Sequence, residues 1–199
     1  MSQFAKDTIG LLNVLKINKT DVLGFSMGGF IAQELALNNP EKINKLVIYA
    51  SNCGGSETIL PTNDFGQIIQ NKSKSIDEIL NGLTTFMFPS DWIQQNLNSI
   101  KKFKEGYKAP PVISLETIQK QGNAVFSWYK TGVCNQLEKI HIPTEVIVGT
   151  KDMLIPQGNS LILVKNIQDS WLIRIPGGGH GLMYQYPDKL VSIIETFLK

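Results

Sequence analysis

The stretch VLGFSMGGFI, Val22 to Ile31, decides the reading of this chain. A short apolar run leads into Ser26, with Gly24 two residues before it and Gly28 two residues after it. An apolar run with helical patterning follows. A strand that turns sharply into a helix needs an unusual backbone conformation at the apex, and glycines on either side let strand and helix come close. Such a turn pushes the serine hydroxyl outward, over the amino terminus of the next helix, where negative charge is favoured. Ser26 is therefore a candidate nucleophile. Gly-x-Ser-x-Gly alone is a weak signal, and a purely structural turn is the competing reading. The strand before it and the helix after it give the pattern its weight.

Working outward, Gln3 to Lys16 places Phe4, Ile9, Leu11, Leu12 and Leu15 near helical spacing. Asp21 to Phe25 predicts a buried strand, and Met27 to Asn38 a helix stopped by Asn38-Asn39-Pro40. KLVIYAS (Lys45 to Ser51), TEVIVG (Thr144 to Gly149) and WLIRIP (Trp171 to Pro176) predict three further strands. Continuous apolar runs of this kind suit a parallel sheet covered on both faces. Pro156 to Lys165 and Pro187 to Lys199 predict helices. Between Gly54 and about Thr131 strand signals are sparse. There SIDEILNGLTTFMF and DWIQQNLNSIKKF read as helical, and KAPPV as a break between helices. The alternation argues an α/β sheet with right-handed crossovers, interrupted by a helical insertion. No repeat or low-complexity segment is visible.

The composition excludes several classes. With 199 residues there is room for one domain and an inserted subdomain. A net charge of +2 gives no case for nucleic acid. The densest basic run, Lys101, Lys102, Lys104 and Lys108, reads as a solvated helix face. MSQFAKDTIG lacks the basic flank and apolar core of a signal peptide. No apolar run approaches the roughly 20 residues that span a bilayer. The expected location is therefore cytoplasmic, with no membrane partner. A reducing compartment argues against pairing Cys53 with Cys134, so both are expected as small core or surface residues. The sequons at Asn18-Lys19-Thr20 and Asn71-Lys72-Ser73 then carry no weight. The cysteines lack metal-site spacing and the two histidines lie far apart, so no metal is expected.

A serine hydroxyl needs a base to take its proton. His180, in IPGGGHGLM, lies just past the last predicted strand, at the carboxyl end where an open parallel sheet carries its chemistry. His141, in KIHIPTE, lies at the opposite edge and reads as a surface or packing residue. The base needs an orienting carboxylate. Asp152, in VIVGTKDMLIP, directly follows the third predicted strand. Alone it would read as a turn aspartate before Pro156. The loop after the second strand, SNCGGSE, offers no acid before Glu57, so Asp152 has little competition.

The order Ser26, Asp152, His180 is that of the α/β-hydrolase superfamily, and the sequence resembles it. DTIGLLNVLKINKTDVLGFSMGGFIAQELALNNPEKINKLVIYAS is similar to its nucleophile region, IHIPTEVIVGTKDMLIP to its acid region and IPGGGHGLMYQYPDKLVSIIETFL to its histidine region. The resemblance implies a hydrolase core over residues 1–54 and 132–199, with about four strands, and a helical cap over residues 55–131. It implies a Ser-His-Asp triad, an oxyanion donor in the Met27 backbone N–H, and a small, fairly apolar ester or related acyl substrate. No cofactor is implied. Of the cap residues Phe86, Met87, Phe88, Trp92, Phe103, Tyr107, Phe126 and Trp128, most are expected in the cap core, with one or two lining an acyl pocket. Met153, Leu182 and Met183 could border the site, and ordinary packing explains them as well.

The sequence departs from the family in one respect. The family places several strands before the nucleophile strand, and this chain has room for one helix there. A bare strand edge and the loss of the second oxyanion donor are the expected consequences. A fragment of a longer protein, a misassigned start, and a shortened form completed by a second copy or by another polypeptide all remain open. The alternative to an active hydrolase is a catalytically impaired or partner-completed module.

Overall fold

Leu46, Val47 and Ile48 have no exposed surface because their strand is flanked on both sides and covered on both faces. The computed structural model describes residues 1–61, 75–108 and 114–199. Its sheet has four strands in the order β1-β2-β3-β4: β1 (Thr20–Phe25), β2 (Ile43–Tyr49), β3 (Thr144–Gly149) and β4 (Trp171–Ile175). All neighbours run parallel, with Phe25 beside Tyr49, Val47 beside Glu145, and Ile147 beside Ile173. The expected parallel α/β sheet is present, and the third strand has the predicted bounds.

Alternation along the strands builds two cores. Leu46 and Ile48 of β2 and Val146 of β3 face one layer, formed with α1 (Ser2–Val14), α2 (Met27–Asn38) and α7 (Gly158–Asn166). Val47, Tyr49 and Ile147 face the other, against Leu182 of the short α8 (Leu182–Gln185) and Leu190 and Phe197 of α9 (Pro187–Leu198). Between β2 and β3 the described residues form four α-helices, a short 3-10 helix (Cys134–Lys139) and no strand: the α-helices are α3 (Ile76–Met87), α4 (Ser90–Gln95), α5 (Leu97–Lys108) and α6 (Leu115–Thr131). A reciprocal Ser75–Glu78 capping box starts α3. Trp128 of α6 stacks on Phe30 of α2, with ring centroids 5.3 Å apart, so the last turn of the insert belongs to the core. The basic run lies on α5, where Lys101, Lys102 and Lys108 are exposed. Most of KAPPV and the Asn71 sequon lie outside the described residues. No described helix is long and apolar enough to cross a membrane.

The cysteine expectation is corrected. Cys53 and Cys134 form a disulfide, with Cα atoms 4.9 Å apart. The compartment argument ignored how the chain returns to itself. It leaves the core after β2 and re-enters after α6 at one narrow neck. There the Val133 N–H donates to the Cys53 carbonyl at 2.7 Å, and a Cβ at Gly132 would overlap the backbone of Gly54 and Gly55. Residues 81 apart in sequence therefore meet.

Glu145 is an anomaly of β3. It is 1% exposed, and its Oε2 has no hydrogen-bond partner among the described residues. Burial pushes its carboxyl up to about 7. The raised value means that the neutral form suits the fold. This contribution is fully present at acidic pH and is lost as pH rises through about 7. Glu145→Gln is expected to stabilise the protein by about 1–3 kcal/mol at pH 8 and to have little effect at pH 5. Urea denaturation at the two pH values checks this, and an equal effect at both would contradict it.

Candidate active site

Ser26 stands between β1 and α2 with φ 52° and ψ −118°, a left-handed conformation that a serine holds only where its surroundings enforce it. Three contacts do so. The Ser26 N–H donates to the Tyr49 carbonyl at 2.9 Å. Its carbonyl accepts the Gly29 N–H and the Ser51 hydroxyl, each at 2.9 Å. A Cβ on Gly24 would strike the Gly28 carbonyl and the Gly29 Cα, so the glycine before the serine is required for close approach. The expected equivalent role of Gly28 passes to its neighbour. A Cβ on Gly28 would meet nothing within 4 Å, whereas one on Gly29 would overlap the Ser51 side chain. As the first residue of α2, Met27 presents an N–H with no acceptor one turn earlier.

Asp152 and His180 come together in the loops after β3 and β4. His180 Nδ1 lies 2.9 Å from Asp152 Oδ2, and both side chains are buried. The other carboxylate oxygen, Oδ1, accepts the backbone N–H groups of Leu154 at 2.9 Å and Ile155 at 2.8 Å. The aspartate thus has one oxygen fixed by the main chain and the other turned to the imidazole. The His180 ring packs 4.9 Å from Phe25, the residue before Ser26. The half-buried Ser26 hydroxyl makes no hydrogen bond to another described residue, and the serine turn meets the histidine loop through the Phe25 ring. His141 is exposed at the amino end of β3, away from this site.

Several contributors had no sequence signal. The Tyr49 hydroxyl donates to the His180 carbonyl at 3.0 Å, and burial raises the phenol above its ordinary range. Ser51 braces the Ser26 turn. Lys151 reaches from the acid loop to Asp91 of α4 at 2.8 Å, holding that exposed carboxyl below its usual range. Beside it lies an open cavity of about 330 Å³ lined by Pro89, Ser90, Asp91, Lys151, Asp152 and Met153. Met153 borders the acid, as the sequence allowed. Leu182 is core, buried beneath the histidine loop.

The family model described as serine aminopeptidase, S33, matches residues 1–186. The chain belongs to this family of α/β hydrolases. Among its relatives is the 2-hydroxy-6-oxononadienedioate/2-hydroxy-6-oxononatrienedioate hydrolase of Paraburkholderia xenovorans. It is 27% identical over 202 positions, covering 98% of this chain and 67% of that protein. The serine hydrolase BPHL of Mus musculus is 24% identical, over 98% of this chain and 60% of that protein. The hydrolase thus spans 60–67% of the length of these two relatives. A solved hydrolase from Pseudomonas aeruginosa superposes with a TM-score of 0.82 at 21% identity, covering 98% of this chain and 70% of that one. That likeness speaks for the fold.

Proposed function

We propose that this hydrolase cleaves a small, fairly apolar ester or related acyl compound through an acyl-enzyme on Ser26. The observation that carries this reading is the buried Asp152–His180 pair beside the strained serine turn. With Nδ1–H donated to Asp152, the imidazole presents Nε2 as a free base. It accepts the Ser26 proton as Oγ attacks the substrate carbonyl carbon. The developing oxyanion is met by the Met27 N–H. Collapse expels the leaving group, which takes the proton from His180. Water, deprotonated by the same nitrogen, then attacks the acyl carbon and frees Ser26. Asp152 stabilises the imidazolium in both halves. Residues 55–131 act as the cap that shapes the acyl site. Lactones, thioesters and carbon–carbon bonds beside a ketone belong to the same reactivity class.

The test is labelling with a fluorophosphonate probe, read by intact and peptide mass spectrometry. Folded protein is expected to label at Ser26, with labelling lost in Ser26→Ala and after heat denaturation. Absence of labelling in folded protein would overturn the reading.

One observation favours a second reading. Among the described residues β1 pairs only with β2, and Leu23 on this edge is 47% exposed. A second copy of the chain, or a polypeptide supplying further strands, would cover that edge and complete the oxyanion site. Sedimentation measured alongside labelling separates the two readings. A monomer that labels rules out the need for a partner.

A further inference from the structure

His180 lies in a glycine-rich loop, where the chain alone has little rigidity. A catalytic imidazole nevertheless has to be held to within about 0.5 Å. From the core side, Tyr49 donates to the His180 carbonyl, and Gln185 Oε1 accepts the Gly179 N–H at 2.6 Å. The other side is held by the helical insert. The Gly181 N–H donates to the Met87 carbonyl at 2.9 Å. A Cβ on Gly179 would lie 2.6 Å from that same carbonyl oxygen and 2.8 Å from Pro89 Cδ. A Cβ on Gly181 would run into the ring of Phe88. Phe88 is itself fixed: it is 1% exposed, stacked on Trp92 at 4.9 Å, and edge-on to Phe103 at 5.1 Å. Tyr184, four residues past His180, meets the edges of Phe88 and Phe103 at 5.9 and 5.2 Å.

The geometry points to Phe88 as a positioning residue that locks the His180 loop from the insert, with the Met87 carbonyl as its polar partner. This rests on His180 being the base. The insert then does more than cover a substrate. Its seating sets the orientation of the imidazole, so movements of the insert are transmitted to the base chiefly through the Phe88 ring and the Gly181–Met87 hydrogen bond. The glycines beside His180 are explained by the same contact, since any side chain there would push the insert away.

Gly181→Ala tests the lock directly. Gly181 has φ −87° and ψ 45°, accessible to alanine, so the new methyl acts through Phe88 rather than through the backbone. The variant is expected to keep its circular dichroism spectrum and to label with fluorophosphonate about 10²-fold more slowly. The downfield NMR resonance of the His180 Nδ1 proton is expected to shift or broaden. Phe88→Leu, which removes the ring, is expected to disturb the same resonance by itself. Combined with Gly181→Ala it is expected to recover most of the labelling rate lost in the single alanine variant. Two results would overturn the proposal. One is a folded Gly181→Ala protein with an unchanged His180 resonance. The other is a double variant no faster than the single one. The resonance does not require a reactive serine. Failure of the parent protein to label would count against the acyl-enzyme reading, while the resonance would still decide the lock.

Discussion

Asp152→Asn is expected to slow acylation of Ser26 by about 10⁴-fold without unfolding the protein. The reason lies in the two carboxylate oxygens. Oδ1 is committed to the N–H groups of Leu154 and Ile155, which donate at 2.9 and 2.8 Å. An asparagine has to keep its single oxygen there, because an amide NH₂ facing two N–H donors would leave buried groups unpaired. Its NH₂ then faces His180 Nδ1, where Oδ2 stood 2.9 Å away. A donor at that point makes Nδ1 the acceptor and puts the ring proton on Nε2, the nitrogen that has to take the serine proton. The site keeps its shape and loses its base. Single-turnover labelling across a range of pH checks this, with circular dichroism as the fold control. A rate within tenfold of the parent would show that the pair does not set the tautomer.

The three candidate residues were legible because each sits where a local pattern meets a topological rule. Ser26 has its glycines and its strand-to-helix context, and Asp152 and His180 each follow a recognisable strand. TEVIVG and Met27 to Asn38 give their elements end to end, since burial on both faces and a clear breaker mark them locally. What remained hidden depends on segments far apart in the chain. Tyr49 reaches a carbonyl 131 residues away. Phe88 reaches the histidine loop from an insert whose packing no periodicity reveals. Which of Gly28 and Gly29 must lack a side chain depends on Ser51, which arrives from another strand. A five-residue pattern carries no record of that neighbour.

These hidden contacts converge on the carboxyl end of β2. Tyr49 holds the His180 loop, and Ser51 holds the Ser26 turn. The Asn52 side chain takes the Trp128 indole N–H of α6 at 3.3 Å, while its carbonyl accepts from Gln33 of α2 at 2.9 Å. Cys53 closes the neck. Tyr49 and Ser51 to Cys53 therefore tie the His180 loop, the Ser26 turn and the insert to the end of one strand.

Opening the Cys53–Cys134 bond is expected to cost the fold about 4–5 kcal/mol, near 10³-fold in the folding equilibrium, because it frees a long loop in the unfolded chain. Cys53 is fully buried and Cys134 is partly buried, so the reduced thiols leave little unsatisfied polarity. The loss therefore lies mainly in chain entropy, and it should appear in Cys53→Ser/Cys134→Ser as well as on reduction. Thiol titration under denaturing conditions is expected to find no free cysteine before reduction and two after it. Urea denaturation with and without reductant then gives the magnitude. Hydrogen exchange adds the location: protection should fall first at Gly55 and Val133, whose N–H groups bond to Trp128 and Cys53 across the neck. An unfolding midpoint indifferent to reductant would mean that the backbone bonds of the neck, and not the disulfide, hold the insert to the core.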